Sequence, residues 1–472
     1  MKKILNIYLA ALGFFIFGTS CSDFLDQEPP MYANEEEIWS SPSRIENTLL
    51  GLYSTIKNFT LNDGVSKSLL GGKGYLVFDN RGDDLTNVGN NLVTLYDTYN
   101  YRVGATYAEN EDFWMASYLA INRTNIFLEG LETAKDILEP EVYNQYKAEA
   151  CFVRAICYYY LNNLYAQKPY IVDNNAKSVP LRLQAERGMG NNDLAASTVK
   201  QVYEQVLKDL DDSLISLLPN TKNTYNAATR ATRGAANMLK MRVYMAMGEW
   251  AEAIKYGNFV KESGYALSVD VTSLYKAPFY SNETIFSLPM HSSNRPNTQQ
   301  GLAEYYNNGR ILLVDKTNGV MSKENYSLAN DDRVRSFVDA SNNKLLKYVD
   351  AAEKLEWVPI MRYAETLLSL AECHANLGGA ENETLAKGYL KEVRSRSIIE
   401  NDPLNIDALT GSALMEAIEN ERRLEFIGEG MRGLDLFRKG QPFVRGTRQI
   451  NPGDVGYSWP YPLSETQANS AL

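Results

Sequence analysis

Tyrosines and polar side chains gather in one irregular stretch of the chain, residues 60–108, and together they have the chemistry of a binding surface. The residues that could face one ligand there are Tyr96, Tyr99, Tyr101, Asn80, Arg81 and Asp83. A tyrosine ring has an apolar face and a polar tip, which suits a surface that stays partly wet. The stretch keeps no helical period, and long irregular segments inside compact domains are usually functional or disordered. Its aromatic content disfavours disorder.

A second irregular region, residues 265–358, offers a matching set of side chains and a few short apolar runs that indicate strands. Its candidates for the opposite wall of a shared site are Tyr305, Tyr306 and Arg310. The alternative for each tyrosine is that it packs its loop onto the scaffold. The prediction therefore concerns the two regions together rather than any single residue.

The sequence contains few of the residues that acid–base catalysis or metal binding would need. The chain has two histidines, His291 and His374, which removes most metal sites and most catalysis that depends on a histidine base. The charged run 421–435 spaces carboxylates and arginines by three to four residues, which favours salt bridges. The run 79–84 (DNRGDD) has oxygen ligands of the kind calcium uses but lacks the EF-hand pattern. We predict no catalytic residue, metal or cofactor.

Overall composition is that of a globular protein: 44% of residues are hydrophobic and 22% are charged. The net charge of −11 argues against nucleic acid as a partner. Beyond Cys21 the cysteines are Cys151, Cys157 and Cys373, and an odd number argues against a disulfide framework in an exported chain. All three lie in apolar, helix-like sequence, so we expect buried, inert thiols.

The first 20 residues have the parts of a secretory signal: Lys2 and Lys3, then an apolar run, then three small residues. The apolar run is too short to cross a bilayer, which takes about 20 apolar residues. Cys21 follows the small residues and resembles the lipidated cysteine of a bacterial lipobox, although Gly18 stands where many lipoboxes have leucine. We expect cleavage before Cys21, lipidation of that residue and a polar tether over residues 21–34. Several acyl chains would then hold the protein on a membrane.

Helical periodicity dominates the rest of the chain and predicts a mostly α fold, with tetratricopeptide-like helix pairs, long irregular insertions and a few short strands. We expect a region 35–228 that carries the insertion 60–108, a central helix pair at 229–264, and a region 265–472. Helices are predicted at Glu111–Asp136 and Pro140–Tyr165, which together form a pair at 111–165, and at Ser197–Leu218, capped by Ser197 or Thr198. Further helix pairs are predicted at 362–396 and 412–439.

Several segments, taken in order, resemble the SusD/RagB family of outer-membrane nutrient-binding lipoproteins. They include CSDFLD (21–26), the helix ending in CYYYLNNLYA, the pair RATRGAANMLKMRVYMAMGEWAEAIKYGNFVKESGYAL, the run ERRLEFIGEGMRGLDLFRKG (421–440) and the closing YPLSETQANSAL. The resemblance covers nearly all of the chain beyond the signal. It implies a non-enzymatic, lipid-anchored protein on the surface of the outer membrane. Such a protein would bind oligosaccharides or peptides and deliver them to a TonB-dependent, SusC-like transporter.

Two other functions stay open at this point. The 58 acidic residues leave room for a surface glycoside hydrolase that uses two carboxylates. The helix pairs are also compatible with a tetratricopeptide scaffold that binds only proteins, which should show a long open groove.

Overall fold

The computed structural model describes residues 35–60, 66–89, 92–188, 190, 192–308 and 311–472. The predicted signal peptide, Cys21, the tether and Arg310 lie outside these residues. The predicted fold class is confirmed, because helices dominate the described chain and strands are few and short. Within the described ranges, no helix is both long and apolar enough to cross a membrane.

Helices that follow one another in the chain form the main pairs of the scaffold. In chain order they are α1 Glu35–Ile38, α2 Pro42–Lys57, α3 Lys73–Asn80, α4 Tyr96–Tyr99, α5 Ala108–Thr133, α6 Pro140–Tyr165, α7 Val199–Asp209, α8 Asp212–Ile215, α9 Tyr225–Thr229, α10 Arg233–Met247, α11 Trp250–Glu262, α12 Asp332–Phe337, α13 Tyr363–Leu377, α14 Ala380–Ser397, α15 Gly411–Glu425, α16 Met431–Arg438 and α17 Leu463–Ala468. The pairs α5/α6, α10/α11 and α13/α14 pack along their lengths, and α11 also packs on α13, so the pairs stack side by side.

The strands form four two-stranded antiparallel sheets within the described chain. They are β1 Asn58–Thr60 with β2 Ser66–Ser68, β3 Leu85–Asn87 with β5 Leu312–Val314, β4 Thr284–Leu288 with β6 Val358–Arg362, and β7 Phe443–Arg445 with β8 Arg448–Ile450. The sheets β3–β5 and β4–β6 join segments far apart in the sequence. The β3–β5 sheet thus fastens the two insertions to each other, and the β4–β6 sheet ties the second one to the segment directly before α13.

Local sequence signals account for the ends of several helices. Pro140 begins α6, where its missing N–H costs no helical hydrogen bond. Thr198 caps α7 in a reciprocal capping box with Gln201. Gly248 ends α10 with a left-handed backbone at φ 77°, a conformation that glycine adopts without strain. The predicted helix Ser197–Leu218 is in fact two helices. The first, α7, ends at its C-cap Leu210, and Asp211 then caps the start of α8.

The prediction that residues 60–108 contain no helix is wrong: the single turn α4 lies there, and so does the longer helix α3. Seven of its eight residues are buried, so no polar face marks it in the sequence as an amphipathic helix. Its close neighbour is α16, where Gly433 allows the approach: a Cβ at that position would lie 2.2 Å from the Phe78 carbonyl oxygen. The first insertion is thus held on the scaffold by a helix of its own.

Aromatic side chains fill the helical core. The predicted core position of Trp114 is confirmed, and so is the burial of the Tyr158–Tyr160 run between helices. Trp459, expected to pin the chain's last segment, is buried against Phe113 and Tyr165 at ring distances of 6.2 Å. These contacts join the closing segment to α5 and α6.

The charged run 421–435 forms buried ion pairs, as the spacing predicts. Arg362 on β6 donates to Glu283 at 2.8 Å, to Glu425 at 2.6 Å and to Glu429 at 2.8 Å. Arg333 also reaches Glu425, at 2.9 Å. Taking these charges out of water is costly, so each depends on its partners, and loss of one partner destabilises the fold strongly. The cluster is structural and ties β6 to α15.

Candidate functional site

The two irregular regions named in the sequence come together in the structure. Strands β3 and β5 pair with Leu85 opposite Val314 and Asn87 opposite Leu312. Near this sheet, Thr94 donates to the Gln299 side chain at 3.4 Å. We call the surface formed by β3, β5 and residues 92–107 and 297–308 the insertion seam. The regions predicted to form opposite walls of a site therefore do meet.

The tyrosines predicted in the first region differ in exposure. Tyr96 at the start of α4 is half-buried, whereas Tyr99 and Tyr101 are buried. The Arg445 guanidinium lies 3.7 Å from the centre of the Tyr99 ring, and Phe443 stacks on Tyr101 at 5.4 Å. Rings covered in this way pack the insertion onto the β7–β8 hairpin. A ligand role for Tyr99 and Tyr101 stays a prediction that this arrangement does not favour.

Asn80 and Arg81 are also inside the protein rather than on its surface. Asn80 donates to the Leu76 carbonyl at 2.9 Å. Arg81 donates to the Tyr457 carbonyl and lies 4.5 Å from the centre of the Phe443 ring. Burial lowers the pKa of Arg81 to about 10. Both side chains hold the backbone below the seam, and neither is exposed at the surface where a ligand would bind.

Tyr305 and Tyr306, in a turn of π-helix at Glu304–Asn308, are buried as well. The Tyr305 hydroxyl donates to the Gln299 carbonyl at 2.9 Å. The Tyr306 hydroxyl donates to the Asp79 carboxylate, and burial raises the pKa of that carboxyl to about 7. The Tyr305 bond lies within the second insertion, and the Tyr306 bond fastens that insertion to the first. They place the two rings under the seam rather than facing a ligand.

Asp83 keeps a partly exposed side chain, but its oxygens are occupied. Arg432 donates to both of them, at 2.5 and 2.9 Å. Burial alone would raise the pKa of Asp83, but the hydrogen bonds and charge of Arg432 outweigh it and hold the pKa at about 2. Asp84 is bound in the same way by Arg423, at 2.7 Å. Two carboxylates of the DNRGDD run are therefore committed to arginines, which leaves a calcium ion little to bind.

Half-exposed aromatic and polar side chains remain at the surface of the seam. Tyr107, which sequence reasoning passed over, is half-buried and donates to the Val93 carbonyl at 2.9 Å. The Arg102 guanidinium lies 5.8 Å from the centre of the Tyr96 ring and pairs with Asp97 at 3.1 Å. Rings of this kind can cover the C–H edges of a sugar, while amide and charged groups at the rim bind its hydroxyls.

Carboxylates at the seam have structural partners. Asp97 pairs with Arg102, and Glu304 accepts from the backbone N–H groups of Gln299, Gln300 and Gly301. Across the described ranges, no cluster of three or more histidine, cysteine, aspartate or glutamate side chains is placed to hold a metal ion. The geometry of the seam suits binding better than acid–base catalysis.

Comparison with known proteins gives one consistent picture. A model of the "SusD family" matches residues 239–472, and a model described as "Starch-binding associating with outer membrane" matches residues 23–245. A crystal structure of a SusD superfamily protein from Bacteroides fragilis is 55% identical, with a TM-score of 0.87, and the match covers 92% of this chain and 99% of that one.

More distant relatives match the chain over nearly its whole length. SusD-like protein P25 of Formosa agariphila is 23% identical over 100% of this chain and 98% of its own. Surface glycan-binding protein A from Bacteroides thetaiotaomicron, solved in complex with laminarihexaose, is 20% identical with a TM-score of 0.69. That match covers 92% of this chain and 98% of that one.

Proposed function

Because the chain belongs to the SusD family, we propose that it binds oligosaccharides, or alternatively peptides, at the cell surface and delivers them to a TonB-dependent, SusC-like outer-membrane transporter. The observation that carries the proposal within this molecule is the meeting of the two insertions at the seam. A rigid helical scaffold that presents loops from two distant segments is a common way to build a binding site. The glycan-bound relative supports an oligosaccharide as the ligand.

Attachment to the outer membrane through lipidated Cys21 is part of the same proposal. The family description that associates its members with the outer membrane supports it. Membrane fractionation of a Cys21→Ala variant tests the anchor. We expect the variant in the soluble fraction, and recovery with the membranes would refute lipidation at this residue.

A binding role without catalysis is the form of the proposal that the seam supports. The aspartates and glutamates named there are held by arginines or backbone N–H groups, so none stands ready as a general acid or base. Release of reducing ends from a glycan panel is the direct check. Turnover on any glycan would favour the hydrolase alternative.

The contacts that fasten the insertions also bear on the scaffold alternative. The Tyr75 hydroxyl of α3 donates to the Pro359 carbonyl at 2.8 Å, and β4 packs on α9 and α10. The insertions thus cover helices that a purely protein-binding array would leave open.

The seam is tested by changing the two rings that stay partly exposed. We expect a Tyr96→Ala, Tyr107→Ala double variant to lose about tenfold or more in affinity for a glycan selected on an array, since each aromatic contact contributes about 0.5–1.5 kcal/mol. Tyr244→Ala is the matched control, because Tyr244 is half-buried on the scaffold, where it stacks on Tyr256. Full affinity in a folded double variant would place the ligand elsewhere.

A further inference from the structure

A cavity of about 320 Å³ opens between α2, α9 and the end of β4, and it shares no residue with the insertion seam. This volume falls at the lower end of the range for small-molecule sites, about 300–1,000 Å³. Its apolar wall is made by Leu50, Tyr53, Leu288 and Pro289. Tyr225 stands at its mouth with 53% of its surface exposed. The cavity is thus a small, largely apolar site with an aromatic ring at its entrance.

Lys57 gives this cavity a positive charge that no neighbouring carboxylate among the described residues pairs with. The residue lines the cavity and is only 6% exposed, and its ammonium donates to the Pro289 carbonyl at 2.7 Å. Among the described residues, no aspartate or glutamate lies within ion-pair distance of it. Burial lowers the pKa of Lys57 to about 8, the direction expected of an ammonium that has lost water without gaining a carboxylate.

The other cation of the cavity wall, Arg230, is shared between two carboxylates, so that group carries a net negative charge. Arg230 binds Glu149 through two hydrogen bonds at 3.0 and 2.8 Å, and it reaches Glu46 at 2.9 Å. The Tyr53 hydroxyl completes the set by donating to Glu149 at 2.7 Å. Arg230 is therefore taken by its own carboxylates. Glu46 lies about three turns of α2 from Lys57, so Lys57 is the cation left for an incoming anion.

Polar and aromatic groups around the opening favour a sugar-like body for that anion. The Asn294 amide also lines the cavity and is held by a bond to the Ser54 hydroxyl at 2.9 Å. Tyr225 meets the ring of Trp357 edge-on at 5.5 Å, and Trp357 stacks with Tyr280 at 5.7 Å. The exposed Tyr225 ring, supported by Trp357 and set beside a polar rim, suits a hexose, whose C–H edges pack on an aromatic face while its hydroxyls meet amides.

We propose that this cavity binds a hexuronate, either free or as a unit of an acidic glycan, with its carboxylate at the Lys57 ammonium and its apolar edge against Tyr225. A carboxylate at Lys57 would form a charge-assisted hydrogen bond, which is stronger than one between neutral groups and relieves the cost of the buried charge. The site is separate from the seam, so it stands or falls independently of the function proposed there.

Calorimetric titration of the purified protein with three matched probes tests the proposal. We expect galacturonate to bind, and galactose and the methyl ester of galacturonate to bind at least about tenfold more weakly, because both lack the charge. Lys57→Met should remove the preference for the acid, whereas Lys57→Arg should keep it. Tyr225→Ala should weaken the acid and the neutral sugar alike.

Lys255→Met is the control, because Lys255 is an exposed lysine on α11 that pairs with Glu252 at 3.4 Å. It should leave galacturonate binding unchanged. No binding of the acid at concentrations up to about 10 mM would overturn the proposal. A preference that survives in Lys57→Met would do so too. Uronate binding that is lost only in the Tyr96, Tyr107 variant would assign the acid to the seam instead.

Discussion

Replacing Glu372 with glutamine keeps the shape of a buried side chain and removes its charge. Glu372 on α13 accepts two hydrogen bonds from Arg438 on α16, at 2.7 and 2.6 Å. Lys439 adds a second positive charge at 3.7 Å. The carboxylate and Arg438 are both almost completely buried, so water screens this contact little.

The structure gives the size of the effect. Burial alone would raise the pKa of Glu372, but the charges of Arg438 and Lys439 outweigh it and lower the pKa from 4.5 to about 2. Since each tenfold change in proton affinity is worth about 1.4 kcal/mol, the ionised carboxylate stabilises the folded state by about 3 kcal/mol at neutral pH. A lowered pKa means that this stabilisation is complete above pH 4.5 and is lost as the pH falls toward 2. At pH 3.5 about 2 kcal/mol should remain.

Urea unfolding followed by circular dichroism measures this directly. We expect Glu372→Gln to lower the free energy of unfolding by about 3 kcal/mol at pH 7 and by about 2 kcal/mol at pH 3.5. Glu416→Gln, at an exposed position on α15, should change it by less than about 0.5 kcal/mol. A loss at Glu372 of under about 1 kcal/mol, or a loss that does not shrink with acid, would refute the reasoning.

Two further predictions use the same protein and simple readouts. Gly433→Ala should lower the free energy of unfolding by about 1–3 kcal/mol, because its Cβ would meet the Phe78 carbonyl, whereas Gly388→Ala in open space on α14 should raise it slightly. Equal effects at both glycines would contradict the close packing of α3 on α16. A thiol reagent should react slowly with Cys151, Cys157 and Cys373 in the native protein and quickly after unfolding, because burial raises the pKa values of these thiols. Rapid reaction of the native protein at these positions would contradict their burial.

Local signals in the sequence predict the helical scaffold well. Pro140 at the start of α6, the Thr198 cap of α7 and the Gly248 turn between α10 and α11 all act within a few residues of themselves. These features need no knowledge of distant contacts. The charged run 421–435 differs from them: its ion pairing is predicted correctly, but partners such as Arg333, Arg362 and Asp84 lie far away in the sequence.

The candidate site is harder to predict, because the burial of its residues is decided far away in the chain. Tyr99 and Tyr101 look like ligand rings until Phe443 and Arg445, more than 340 positions later, cover them. Tyr107 stays half-exposed and nothing in its neighbours distinguishes it. Likewise, the buried charge of Lys57 depends on the Pro289 carbonyl, 232 residues away. Aromatic content identifies the regions that form the site but not which rings face outward.

Residues 457–469 cover a surface that the first half of the chain makes. The Trp459 ring packs against Phe113 and Tyr165, and its backbone N–H donates to the Leu164 carbonyl at 2.8 Å. Asn469 then bridges to Leu194 through two hydrogen bonds. A chain that emerges from its first residue onward exposes the apolar flank of α5 and α6 throughout synthesis. That flank can be covered only after residues 457–469 have been synthesised, so a molecule that lacks them would present apolar surface of the kind chaperones bind.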